Sequence, residues 1–191
     1  MALLLCAALA GTMTAAQMPG DTACGLDGRT QSGAAAVELS NGVLLPCVSL
    51  GTGDPVAQTK KNLQAALAVG FRGVDTALTY FDQSGVAEAI AAEVGRYPRK
   101  DIVITTKVPG GGLGVDNYKS TTLDAEANLK LLKVDYVDLL LIHWSPLIGC
   151  ACGPIREQWR AMEDFYKAKK ARAIGVSVSS FPPPTPTSTT G

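Results

Sequence analysis

Residues 102–108, IVITTKV, form a short run of β-branched residues with a lysine at its second-last position. Such a run suits a strand buried on both faces, as in a parallel sheet. The chain on either side keeps a beat. Upstream, Val86, Ala89, Ile90 and Val94 fall at helical spacing after Ser84, with Gly95 behind them. Before that, residues 71–76 hold a second strand. A further helix is predicted between Asp54–Pro55, a capping residue and a first-turn proline, and Gly70, with Leu63, Ala66 and Leu67 on its apolar face. Residues 46–50 supply the strand before it. Downstream, residues 120–132 read as a helix with Asp124 and Glu126 near its positive end. Residues 137–142 are another buried strand. Ile155, Trp159, Met162 and Tyr166 mark one face of a fourth helix, Lys167, Lys169, Lys170 and Arg172 suit its carboxyl end, and residues 173–178 a fifth strand.

Strands alternating with helices imply right-handed βαβ units and a parallel sheet. Periodicity alone leaves a doubly wound sheet and a barrel equally open. The first strand–helix turn, Gly51-Thr52-Gly53-Asp54-Pro55, is not the GxGxxG fingerprint, so a Rossmann dinucleotide site is disfavoured. Ahead of the beat, residues 37–45 alternate around Asn41-Gly42, the signal of a tight hairpin turn.

Composition sets the outer limits. With 47% hydrophobic and 18% charged residues the chain is globular rather than disordered. Seventeen basic residues balance seventeen acidic ones, so no electrostatic footprint for nucleic acid exists. No apolar run approaches the roughly 18 residues of a membrane span. One histidine rules out a His-rich metal site, Cys150 and Cys152 have the wrong spacing for a zinc pair, and no metal is expected. The cysteines Cys24, Cys47, Cys150 and Cys152 remain if the leader is removed, an even number that permits disulfides without establishing them. Residues 1–16 carry no charge and resemble a signal-peptide core with small residues after it, although a basic start is absent. Residues 17–36 read as a linker. Residues 182–191, PPPTPTSTTG, cannot continue a helix or sit in a central strand and are expected to be a disordered tail.

Three of these strands end in side chains with chemical use: Asp75, Lys107 and His143, with Tyr80 five residues beyond Asp75. Carboxyl-terminal strand ends carry the active sites of parallel barrels. Singly, each residue has an ordinary explanation: a turn cap, a solvated strand end, a packing tyrosine, a satisfied histidine. Together they describe carbonyl reduction. Hydride addition leaves an alkoxide that needs a proton, and a phenol is a reluctant acid at neutral pH. An ammonium stabilises the phenolate, a carboxylate holds the ammonium, and a neutral imidazole orients the carbonyl.

GFRGVDTALTY, ITTKV and LLLIHW resemble the aldo-keto reductase segments that supply the catalytic Asp, Tyr, Lys and His, here Asp75, Tyr80, Lys107 and His143. LSNGVLLPCVSLGTG resembles the family's opening hairpin and first strand, and ARAIGVSVSSF its fifth strand. The resemblance runs in order over residues 37–181. It implies a (β/α)8 TIM-type barrel, here incomplete with about five parallel strands plus the amino-terminal hairpin, with NADPH as cofactor and aldehydes or ketones as substrates. It implies Tyr80 as general acid, Lys107 and Asp75 as the pair assisting it, and His143 as the orienting residue. It also places Thr52, Asp75 and Ser177 at the cofactor, and Tyr80, His143 and Trp144 at the substrate. Val178 stands where the family usually has Asn, which removes one amide hydrogen bond to nicotinamide, worth on the order of 1 kcal/mol. Strands beyond the fifth, which carry most contacts to the adenosine phosphate, are not in the sequence. Two other readings follow: a non-catalytic barrel fragment that associates with a full-length relative or is degraded, and a Schiff-base lyase using Lys107. Location is cytoplasmic by resemblance, secretory or organellar if residues 1–16 are a targeting segment. Cys150 and Cys152, in GCACGP, follow His143 in an ordinary small-residue loop or a redox-sensitive lid.

Overall fold

A computed structural model describes residues 35–144 and 153–177. The expectations for residues 1–34, for Cys150 and Cys152, for Val178 and for the 182–191 segment lie outside those residues. The described chain runs β1 (Ala36–Glu38), β2 (Leu44–Pro46), β3 (Leu50–Gly51), α1 (Val56–Ala68), β4 (Gly73–Asp75), a one-turn 3-10 helix (Leu78–Tyr80), α2 (Gln83–Glu93), β5 (Val103–Val108), α3 (Asn117–Leu132), β6 (Leu139–Ile142), α4 (Gly153–Lys167) and β7 (Ile174–Val176).

The five strands β3 to β7 are all parallel, and their spatial order is their chain order. This settles the choice that periodicity left open. A doubly wound sheet reverses direction at a switch point, whereas a barrel adds each strand beside the last. The structure is therefore an α/β barrel segment, incomplete, with a separate antiparallel hairpin of β1 and β2.

Alternation along the strands separates two faces. Val74, Ile104, Val108, Leu140 and Ile142 point to the helices and pack with Leu63, Leu67, Val86, Ile90, Leu129, Leu132, Met162 and Phe165. Each such side chain, fully buried, is worth about 1.5–3 kcal/mol before entropy is counted. On the other face Leu139, Leu141 and Ala173 meet Leu39 and Leu45 of the hairpin, which thus closes that face below the strand ends.

Several elements depart from the sequence expectation, each for a local reason. At the hairpin only Gly42 takes positive φ, at 79°. Asn41 works through its side chain instead, accepting from Val43 N at 3.2 Å and donating to Arg172 O at 2.8 Å, so the hairpin is pinned to the start of β7. Pro46 belongs to β2, which shortens β3 to two residues. Asp54 does not cap α1: Pro55 occupies that position, and the Asp54 carboxylate accepts from Asn62 at 2.9 Å. Helix α3 starts three residues earlier than its apolar pattern, because Asp116 accepts from Lys119 N at 2.9 Å. Asp124 and Glu126 are then mid-helix, with burial pushing the Asp124 carboxyl up and Glu126 paired to Lys170.

The buried line of α4 is Pro154, Gln158, Ala161, Met162 and Phe165; of the expected face of Ile155, Trp159, Met162 and Tyr166, Met162 is buried, Ile155 and Trp159 are half-buried against the core, and Tyr166 is half-buried. Gln158 earns its place by serving the β5–α3 loop, accepting from Gly111 N at 2.7 Å and donating to Pro109 O at 2.9 Å. Ile155 and Trp159 are left half-buried, lining with Val176 an apolar groove of about 480 Å³ beside the last strand.

Candidate active site

The carboxyl ends of the strands hold the polar side chains the sequence singled out. Asp75 is the last residue of β4, Lys107 the second-last of β5, and His143 the first after β6. Asp75 pairs in register with Thr105 and Lys107 with Leu141, so the carboxylate and the ammonium share the inner face one step apart. Lys107 is 1% exposed and ion-paired to Asp75 Oδ1. It also donates to Thr76 O at 2.9 Å. A lysine this buried requires such partners, since an unpaired ammonium out of water is very costly.

Tyr80 arrives on the 3-10 turn that follows β4. Its ring centre lies 5.2 Å from Lys107 Nζ. Its hydroxyl is 3.4 Å from His143 Nε2, and the two rings meet edge-on with centroids 5.4 Å apart. Trp144 tilts against the His143 ring at 4.6 Å and is exposed to solvent. Burial pushes the His143 imidazole below its ordinary value, the Lys107 ammonium adds to this, and Asp75 opposes it. The ring is therefore neutral near pH 7, able to donate from one nitrogen only.

Thr52 and Ser177 occupy the same rim on the two outer strands. Thr52 N donates to Asp75 O at 2.9 Å, and Ser177 N donates to Ile142 O at 2.9 Å. The four central residues and Trp144 thus come together as expected, while Thr52 and Ser177 flank them. The rim beside Thr52 is open: a Cβ added at Gly51 or Gly53 would meet no atom within 4 Å. Thr52, Asp75 and Ser177 are the rim residues that could hold a ligand there.

Sequence reasoning missed the groups that hold this mouth in shape. Asp82, 0% exposed, accepts from Gly53 N at 2.7 Å, Thr59 Oγ1 at 3.1 Å, Thr76 Oγ1 at 3.1 Å and Thr52 Oγ1 at 3.3 Å. It ties the β3–α1 turn to the end of β4. Behind Lys107, Gln83 donates to Thr106 Oγ1 at 2.8 Å and to Asn128 Oδ1 at 2.5 Å. Gly110 lies against Trp144, where a Cβ would come within 2.5 Å of the indole Cδ1. The clue to Asp82 was its place two residues after Tyr80 at the start of a helix; three of its four donors, Thr52, Gly53 and Thr59, lie 30, 29 and 23 residues away and leave no local pattern.

Fold and site define a (β/α) barrel unit with Asp75, Tyr80, Lys107 and His143 clustered at its carboxyl-terminal rim. Residues 49–182 match the family model described as "Aldo/keto reductase family". The chain is 37% identical over 147 residues to the uncharacterized oxidoreductase YtbE of Bacillus subtilis, covering 75% of this chain and 50% of that protein. It is 36% identical over 143 residues to glyoxal reductase of the same organism, covering 74% and 48%. Among solved structures, an aldo/keto reductase from Brucella melitensis superposes with TM-score 0.66 at 32% identity, over 75% of this chain and 53% of that one. An aldo-keto reductase of Bombyx mori, solved in complex with NADP, gives 0.63 at 28% identity, over 75% and 50%. The chain belongs to the aldo/keto reductase family. It spans about half the length of the curated relatives it matches.

Proposed function

We propose that this chain carries the proton-transfer side of an NADPH-dependent carbonyl reductase acting on small aldehydes or ketones. The observation that carries the reading is the buried Lys107–Asp75 pair beneath a phenol whose hydroxyl reaches the neutral His143. Bound NADPH supplies the hydride. Tyr80 gives its phenolic proton to the carbonyl oxygen as the C–H bond forms at carbon. The Lys107 ammonium stabilises the negative charge left on the phenol oxygen, and Asp75 keeps that ammonium in place. His143 donates a hydrogen bond that orients the carbonyl, and Trp144 walls the substrate side. Thr52, Asp75 and Ser177 would hold the nicotinamide end of the cofactor. The relative named glyoxal reductase supports a small carbonyl as substrate, and the Bombyx mori complex with NADP supports the cofactor.

Lys107 as a Schiff-base nucleophile is not supported, because its Nζ is engaged by both Asp75 and Thr76 O. The test is direct. NADPH is titrated into purified chain by fluorescence, and loss of reduced-nicotinamide absorbance is followed with glyoxal and with simple aldehydes. Carbonyl-dependent oxidation supports the proposal; cofactor binding with no turnover on any carbonyl, or no cofactor binding, defeats it.

A further inference from the structure

Thr79 and Tyr80 are consecutive residues of the 3-10 turn, and they reach the two nitrogens of a single imidazole. Thr79 Oγ1 lies 3.3 Å from His143 Nδ1, and Tyr80 Oη lies 3.4 Å from Nε2. Both distances lie at the long end for a hydrogen bond. The charged groups on this side are Lys107 and Asp75, which act on His143 in opposite senses.

A neutral imidazole carries one N–H, so only one of its two nitrogens donates and the other accepts. The choice decides where the phenol proton goes. If Nδ1 carries the hydrogen, Nε2 is an acceptor, and the Tyr80 hydroxyl spends its proton on the imidazole. If Nε2 carries it, Nε2–H donates toward the Tyr80 oxygen or a carbonyl, and the phenolic proton stays free. Among the described residues, the Thr79 hydroxyl has no other hydrogen-bond partner.

We propose that Thr79 is a positioning residue: its hydroxyl donates to His143 Nδ1, fixes the Nε2–H tautomer, and so leaves the Tyr80 proton available to the substrate oxygen. The inference rests on the carbonyl-reductase reading and deepens it, since it says how the acid is kept from being quenched by its own neighbour. No covalent step is added; one hydroxyl hydrogen is oriented and one tautomer is selected.

The chain has one histidine, so ¹⁵N-histidine labelling gives a single ring spin system and reports the tautomer without turnover. At a pH of about 8, above the ordinary imidazole range, wild-type chain is expected to show a pyridine-type Nδ1 and a pyrrole-type Nε2. Thr79→Val, which keeps the shape and removes the hydroxyl, is expected to raise the Nδ1–H form severalfold. Thr79→Ser is expected to restore the wild-type pattern. Where turnover is measured, Thr79→Val should lower kcat about tenfold, the worth of one hydrogen bond, with little change in KM. A pyrrole-type Nδ1 in wild type, or an unchanged tautomer ratio in Thr79→Val, overturns the proposal. Expected spectra in a chain that reduces no carbonyl would defeat the reductase reading while leaving the Thr79 assignment standing.

Discussion

Replacing Asp82 should do very different things depending on whether an acceptor remains. In Asp82→Ala four donors lose their partner at once. Gly53 is exposed and its N–H can turn to water, and Thr59 keeps its bond to Asp54 O at 3.1 Å. The Thr76 hydroxyl, buried at 0% exposure, is left with no acceptor among the described residues. Three or so lost bonds at about 1 kcal/mol each, plus about 1–2 kcal/mol for the stranded hydroxyl, sum to roughly 4 kcal/mol; relief from carboxylate burial brings the expected loss to about 3 kcal/mol. Asp82→Asn is different. Its Oδ1 can stay with Gly53 N and Thr59, while Nδ2 faces the hydroxyls of Thr52 and Thr76, which rotate to accept. The expected cost is under about 1.5 kcal/mol. Urea unfolding followed by far-ultraviolet circular dichroism measures both. The reasoning fails if Asp82→Ala lies within about 1 kcal/mol of wild type, or if Asn costs as much as Ala.

Asp138, 2% exposed at its side chain, accepts from Arg99 at 2.8 Å, Arg172 at 2.9 Å and Ile104 N at 2.9 Å; Asp138→Ala should cost about 3 kcal/mol in the same assay, against under about 1 kcal/mol for Lys60→Met at the exposed Lys60–Glu88 pair. His143 has a folded-state value below its ordinary 6.5, so as pH falls through about 6.5 the unfolded chain takes up a proton before the native one. Stability should therefore drop below that pH until the lower native value is passed, and His143→Asn should remove this part of the slope in urea midpoints measured at several pH values. Gly110→Ala puts a Cβ against the Trp144 indole, and in a Trp159→Phe background the Trp144 fluorescence should shift and its quenching by acrylamide should rise.

The fold was legible because strand ends and helix stops are local. The IVITTKV run, Gly70 and the Asn41–Gly42 turn each act within a few residues. Barrel against doubly wound sheet was not legible from periodicity, since both use the same βα unit and differ only in which strands become neighbours. The four central site residues were readable because strand register carries Asp75 and Lys107 to one face and His143 to the same rim. Asp82 and Thr79 were not, because their partners are far away: Asp82 draws on Thr52 and Thr59, and Thr79 on a histidine 64 residues later. The burial face of α4 was read in part, with Met162 buried and Ile155 and Trp159 against the core, but Gln158 was missed for a related reason. Gln158 is polar in sequence and buried in place, because Gly111 and Pro109 offer it backbone partners that no helical pattern reveals.

The most direct measurement is single-turnover carbonyl reduction by Tyr80→Phe beside wild type, with NADPH affinity determined on both. The phenylalanine keeps the ring over Lys107 and removes only the hydroxyl that sits by His143 Nε2. Positioned proton donation is worth roughly 100- to 10,000-fold, so the rate should fall at least about 100-fold while NADPH affinity stays within about twofold. A Tyr80→Phe chain that reduces carbonyls as fast as wild type would show that the proton comes from elsewhere.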